Sequence, residues 1–188
     1  MIKKLEDFNR YIATAGFKNV KIQDINSFFG VIRRKAGDAQ VQLFDAKLIA
    51  GGEHLYFAAL NALNAFKNKT NISKSVAVET LLYASAQRQI EKAVKLLGIK
   101  PESLQVAVLI VAETEQRAAS TLEAVSKLIG GERDDSVLEL TNRKVKGIKR
   151  LFGISDLELE AKLGKEDFEK EALIDLVIEH MALLATQH

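Results

Sequence analysis

The sequence predicts a single compact α/β (α+β) domain, in which a small mixed sheet is covered by helices and an amphipathic helix is added at the C-terminus. Two patterns carry that prediction. Short β-branched runs alternate with longer segments of helical period. Proline occurs only at Pro101, and no Ser/Gly-rich linker divides the chain. The 188 residues, 47% of them hydrophobic, suffice for one sizeable core.

The first 44 residues predict two short strands with a helix between them. Val20 and Ile22 alternate as in a strand, and Asp24 is an N-cap candidate for the helix that follows. Three cations and Gly37 mark the end of that helix. The second strand is predicted over residues 41–44.

Three helices are predicted in the central part of the chain. A long helix follows the Gly51-Gly52 turn, and Leu55, Ala59, Ala62, Leu63 and Phe66 share one of its faces. Ser73–Tyr83 and Gln87–Leu97 predict two more helices, separated by a bend at Ser85-Ala86.

The next segment predicts a buried strand followed by alternating elements. Residues 104–111 are short, β-branched and nearly all apolar, which is typical of a strand buried on both faces. Helical period resumes over Glu115–Leu128 and again over the basic segment Asn142–Phe152. Between these two helices, Val137–Leu140 predicts a short edge strand.

The C-terminal segment differs in character from the rest. Ser155 and Glu158 have the spacing of a capping box, which predicts a short helix there. From Lys165 an amphipathic helix follows, with an acidic face and an apolar stripe of Ile174, Val177, Ile178, Met181 and Leu184. Such a stripe needs a cover. The helix either packs on its own domain or docks onto another protomer or another protein.

Composition limits the compartment and the kind of nucleic-acid site. A formal charge of +2 excludes a polycation that coats nucleic acid, so any such site must be a local patch. The chain has no cysteine, no pattern of a signal peptide and no apolar run of about 20 residues. We therefore expect a cytoplasmic protein.

Motifs of catalysis or metal binding are not found. His54, His180 and His188 are scattered, and none has a partner at helical i, i+4 spacing, so no metal site is predicted. Glu53 and His54 are adjacent, but neighbouring helical side chains diverge by about 100°. A structural His54 is the favoured interpretation, and a small hydrolase is a weak alternative. Glycine-rich nucleotide loops and a Gly-x-Ser-x-Gly elbow are missing too.

Three polar groupings remain open. Asn71, Lys74 and Ser75 begin a predicted helix, where a cation and free N–H groups suit a phosphate. Gln87 and Arg88 follow a predicted break. From the residues alone, capping and surface solvation are the favoured explanation of both of these groupings. The basic helix, with Arg143, Lys144, Lys146, Lys149 and Arg150, either contacts nucleic acid or is a solvated face.

The central block resembles the PRPK-binding protein (TPRKB) family, the small subunits of the KEOPS complex. The segments that carry the resemblance are Leu43–Ala46, Gly51–Leu55, Asn61-Ala62, Ala65-Phe66, Asn71–Ser75, Glu79–Ile90 and Leu97-Gly98, with looser similarity at Asp134–Val137 and Leu151–Ile154. It spans roughly residues 10–161. The family commonly has glycine where this chain has Ala86, so a positive φ there would strain or shift the bend.

The resemblance implies a non-catalytic regulatory subunit. We assign residues 1–164 to this domain and residues 165–188, which lie outside the resemblance, to a helical extension, and we expect neither a metal nor a cofactor. The partners of such a subunit would be the PRPK-like kinase, an ATPase of KEOPS, and tRNA, whose threonylcarbamoyl-adenosine modification it would support. Asn71, Lys74, Ser75, Gln87 and Arg88 are the expected surface for the 3′ CCA end of the tRNA. The alternative is a stand-alone RNA-binding module without a KEOPS partner.

Overall fold

A computed structural model describes residues 1–163 and 169–186. Its strands are β1 (Ile2–Leu5), β2 (Arg10–Lys18), β3 (Gln40–Asp45), β4 (Val106–Ala112) and β5 (Glu132–Arg133). Its helices are α1 (Ile25–Ala36), α2 (Gly52–Asn68), α3 (Val76–Ala84), α4 (Ile90–Leu97), α5 (Glu115–Ile129), α6 (Asn142–Phe152), α7 (Asp156–Leu163) and α8 (Glu169–Leu183). None of the helices in these two ranges is long and apolar enough to cross a membrane.

The strands form one sheet in the order β1-β2-β4-β3, and β5 pairs with the far end of β2. The α/β (α+β) class and the single compact domain are confirmed. The expectation of a mixed sheet is corrected, because every pairing among the described strands is antiparallel. Strand β4 lies between β2 and β3 and runs antiparallel to both.

Helices cover both faces of the sheet. All seven residues of β4 are buried, as predicted for a strand enclosed on both sides. Ala107, Leu109 and Val111 point into the core formed with α2, α3, α6 and α8. Val108 and Ile110 point into the second core, formed with α1 and α5. The period of two along β4 therefore divides the interior into two apolar layers.

Strand β2 lies at the centre of the sheet, although the sequence pattern did not predict it. Its middle is rich in small residues, which have low strand propensity. Close packing explains the glycine: a Cβ added at Gly16 would lie 2.5 Å from the Asp134 carbonyl oxygen. The strand predicted at Val20 and Ile22 is wrong, because both residues are buried outside any strand.

The edge strand predicted at Val137–Leu140 is also wrong. Asp135–Leu138 forms a 3-10 turn, whose first N–H groups include that of Ser136, bonded to the Asp134 carboxylate at 3.1 Å. The Asp135 carboxylate accepts the Gly16 N–H at 2.9 Å. These two side chains satisfy backbone groups that a strand would have paired, so the segment turns instead of extending.

The C-terminal helix packs on its own domain. Residues of α8 that are buried in the first core are Ala172, Leu173, Leu176, Val177 and Met181, and Leu184 follows in the turn after the helix. This location agrees with the first of the two predicted alternatives. The capping box is confirmed, since the Glu158 N–H donates to Ser155 Oγ at 3.1 Å. The division at 164/165, the acidic pair Glu166-Asp167 and His188 lie outside the described residues.

The bend after α3 is built on a left-handed residue. Ala86 has φ +48°, as expected if it replaces a glycine that needs a positive φ. Its N–H donates to the Tyr83 carbonyl at 2.9 Å, and the Gln87 N–H donates to the Leu82 carbonyl at 3.0 Å. These two bonds form a Schellman motif, in which glycine is the preferred residue at the position of Ala86.

We expect Ala86→Gly to raise the free energy of unfolding by about 0.5–1 kcal/mol, because relief of the left-handed strain exceeds the added entropy of the unfolded chain. Urea denaturation measures the change. Ala84→Gly is the matched control, since Ala84 is helical and glycine there should lower the free energy of unfolding by about 1 kcal/mol. Equal losses in both variants would contradict the strain at Ala86.

Candidate nucleic-acid interface

The five residues expected to contact RNA are divided between the two ends of α3. Asn71, Lys74 and Ser75 precede the helix, whereas Gln87 and Arg88 follow it. Nine helical residues at 1.5 Å each separate the two groups by about 14 Å. The structure thus forms two small polar groups along one helix rather than one cluster.

The turn before α3 is held together by its own polar groups. The Asn71 amide donates to the Ser73 carbonyl at 2.8 Å, and Ser73 Oγ donates to the Ser75 carbonyl at 2.7 Å. The carboxylate of Glu79, only 1% exposed, accepts the N–H groups of Ile72 at 3.1 Å and Ser73 at 2.7 Å. An internal anion therefore already uses these two donors, and they are not available to a phosphate.

Lys74 and Ser75 lie just outside the helix. Ser75 is the N-cap residue, but its hydroxyl donates to Gln40 Oε1 at 3.2 Å and does not cap. Lys74 comes before this N-cap and is exposed, which corrects its expected place in the first helical turn. It lines a shallow cleft of about 250 Å³ together with Arg10, whose guanidinium is paired with Glu113.

At the other end of α3, Arg88 acts on a buried phenol. Burial and the nearby Glu79 charge raise the pKa of Tyr83, while the Arg88 charge acts in the opposite direction. Gln87 is half-buried and caps the helix through its backbone N–H. Arg88 is an exposed residue, and its charge contributes to the electrostatics of Tyr83.

His54 has a structural role. It is fully buried, its Nδ1 accepts the Ala50 N–H at 3.0 Å, and its Nε2 donates to the Ala84 carbonyl at 2.8 Å. The accepted N–H requires an unprotonated Nδ1, so the ring is the neutral Nε2–H tautomer. Burial lowers the pKa of His54 to about 4. With both nitrogens bonded to backbone, His54 has no free atom for the acid–base role considered with Glu53.

The basic helix α6 is not a uniformly solvated face. Lys144 is 8% exposed, and its ammonium donates to the carbonyls of Ile49 at 3.1 Å and Val137 at 2.6 Å. Burial lowers the pKa of Lys144 to about 8, against the opposing effect of Asp45 and Glu139. Lys149 pairs with Asp156. The other three cations of this helix are exposed: Arg143, Lys146 and Arg150.

Sequence reasoning missed two of the charged groups that shape this region, Glu79 and Lys144. Glu79 does have a local signal, because it is a lone acid in an otherwise apolar helix. Lys144 has none, since it stands among other cations. Across residues 1–163 and 169–186, no group of three or more histidine or acidic side chains is arranged to hold a metal ion.

We expect the free energy of unfolding to fall by about 2–3 kcal/mol between pH 7 and about pH 4.5 through His54 alone. The sign follows from the lowered pKa. As the pH falls below 6.5, His54 of the unfolded chain becomes protonated, whereas the native imidazole stays neutral until about pH 4. Protonation in this range therefore stabilises the unfolded state. Urea denaturation at both pH values measures the change. The fall in the free energy of unfolding should be larger in wild type than in His54→Gln by that amount.

An NMR titration of the folded wild type provides a second measurement of the same group. The His54 ring should remain neutral down to about pH 5. The role given to burial would be contradicted if the native ring titrated near its ordinary pKa. It would also be contradicted if wild type and His54→Gln lost the same stability between pH 7 and about pH 4.5.

Comparison with known proteins places this chain in a family. Residues 17–185 match the model of the kinase binding protein CGI-121 family. The regulatory protein Cgi121 of Methanocaldococcus jannaschii is 36% identical over 135 residues, which cover 72% of this chain and 83% of that protein. The match extends past residue 161, where the resemblance seen in the sequence ended, and includes α8. The recognised resemblance is confirmed, and the chain belongs to the kinase binding protein CGI-121 family.

Proposed function

We propose that this protein is a non-catalytic regulatory subunit of a cytoplasmic KEOPS complex. It binds the PRPK-like kinase and helps to hold the 3′ CCA end of tRNA for threonylcarbamoyl-adenosine modification. The observation that carries the proposal is the family match over residues 17–185, in a family named for kinase binding. The relative from Methanocaldococcus jannaschii is named a regulatory protein, which supports the non-catalytic role.

Helix α4 offers the best surface for the kinase. Ile90 and Val94 lie one turn apart and are 43% and 47% exposed, while Ala93 and Leu97 of the same helix point into the core. Two apolar side chains on one exposed helical face are suited to the centre of a protein interface. The face is adjacent to α3, against which α4 packs.

We expect Ile90→Arg and Val94→Arg each to weaken kinase binding by more than about 2 kcal/mol, because a charge would replace an apolar contact at the interface centre. Calorimetry with the purified kinase subunit measures the change. Leu157→Arg is the matched control: Leu157 is 76% exposed on α7 and should be replaceable without effect.

Two results would count against this face. If Leu157→Arg abolishes the complex while the α4 variants retain it, the kinase binds near α7. If wild type gives neither heat nor a complex on a sizing column, the kinase-binding proposal itself fails.

For the tRNA end, the two exposed cations at the ends of α3 are the strongest candidates. Lys74 supplies an ammonium before the helix N-terminus, where N1–N3 amides lack intrahelical acceptors. Arg88 supplies a planar guanidinium that can engage a phosphate or stack on a base. Their separation along α3 favours an extended single strand over one isolated phosphate. Asn71, Ser75 and Gln87 would shape the backbone around these cations.

We expect Lys74→Ala and Arg88→Ala each to weaken tRNA binding and to flatten the logarithmic salt dependence by somewhat less than about one unit. Filter binding at several salt concentrations, with tRNA carrying or lacking CCA, measures both. Lys35→Ala on α1, across the sheet from α3, is the control of equal charge. Removal of CCA should erase the difference between the α3 variants and wild type, and unchanged affinity and slope in both would remove this surface.

A stand-alone RNA-binding module remains the alternative function. It predicts tight, salt-sensitive RNA binding by the isolated chain and no gain when the kinase is added. The regulatory-subunit proposal predicts instead that tRNA binds the complex more tightly than it binds the isolated chain, because the kinase adds contacts of its own.

A further inference from the structure

A cleft of about 700 Å³ lies on the protein where α6 begins, at a distance in sequence from every residue of the α3 surface. It is bounded by the turn at Ala46–Leu48, the turn at Asp135–Leu138 and the N-terminus of α6. Its polar lining includes Lys47, Gln105, Thr141, Arg143 and Lys144. We call it the Lys144 cleft. Its volume is in the range of small-molecule sites.

The ammonium of Lys144 is the buried cation in this lining. Its two hydrogen bonds go to neutral carbonyls, those of Ile49 and Val137, although an ammonium has three N–H donors. In the described part of the chain no carboxylate forms an ion pair with it; Asp45 and Glu139 act only through longer-range charge. A buried cation without a counter-ion favours an anion nearby.

The other groups around the cleft add to the positive potential. Lys47 and Arg143 are exposed at its rim. The N-cap residue Thr141 makes no side-chain cap, so the first amides of α6 and its dipole face the same region. The acid in the lining, Asp134, is occupied by an ion pair with Lys18 at 3.1 Å and by bonds from Ser136.

We propose that the Lys144 cleft binds a phosphate group, either that of a free nucleotide or one in an RNA strand, with Lys47 and Arg143 as its exposed cationic contacts. Lys144 and the α6 N-terminus supply further positive charge from beneath. The site shares no residue with the surface at the ends of α3. It therefore does not depend on the RNA contacts proposed for Lys74 and Arg88.

The test uses the full chain and four probes: inorganic phosphate, AMP, adenosine and a three-nucleotide RNA. Binding is followed by NMR titration of the backbone amides. We expect at least one phosphate-bearing probe to shift the amides at the start of α6, and adenosine not to. Lys47→Gln and Arg143→Gln should each weaken that binding about fivefold or more, the effect of losing one charge-assisted contact.

Lys146→Gln is the matched control, because Lys146 is an exposed cation on the same helix outside the cleft lining. It should leave the affinity unchanged. Equal binding of AMP and inorganic phosphate identifies free phosphate as the ligand chemistry, whereas binding of the trinucleotide alone identifies the RNA backbone. The proposal is overturned if adenosine binds as well as AMP, if Lys146→Gln weakens binding equally, or if no probe responds to Lys47→Gln and Arg143→Gln.

Discussion

Helix α3 is buried over seven of its nine residues, so the polar groups at both of its ends need partners within the protein. Before the helix, the Glu79 carboxylate receives two backbone N–H groups of the preceding turn. At its last turn, the Ala84 carbonyl receives the Nε2–H of His54. An acid and an imidazole thereby fix the two ends. Because these bonds hold the two ends of α3 in place, they also determine the distance between the candidate RNA residues on either side of the helix.

His54 also connects α3 to the Lys144 cleft. Between β3 and α2, the Ile49 carbonyl accepts the Lys144 ammonium, and the Ala50 N–H donates to His54. The His54 ring meets Phe152 edge to face, with centroids 5.7 Å apart. A short segment before α2 is thus bonded to α6 on one side and, through His54, to the end of α3 on the other. These bonds are buried and replace water, so breaking one leaves an unsatisfied group at a cost of about 1–3 kcal/mol.

Local pattern was sufficient for the long helices and for β4, because their apolar periods are strong and their ends carry glycine or caps. It failed for β2, whose middle includes alanine and glycine, residues with weak strand propensity; close packing accounts for the glycine at position 16. The positive φ at Ala86 was expected from the family resemblance, in which glycine is common at this position, and not from local pattern. Burial of Lys144 could not be predicted, because only the tertiary fold separates it from its exposed neighbours on α6.

The pairing of β2 with β4 also bears on how the protein is made. Tyr11 pairs with Ala112, so the centre of the sheet cannot form until about the first 112 residues have left the ribosome. Helix α2 emerges long before that, and part of its apolar face is later covered by α8 near the end of the chain. Helix α3 follows directly and covers another part of α2, but the part that α8 covers stays without that contact until α8 has been made. Contacts so distant in sequence favour slow, late folding.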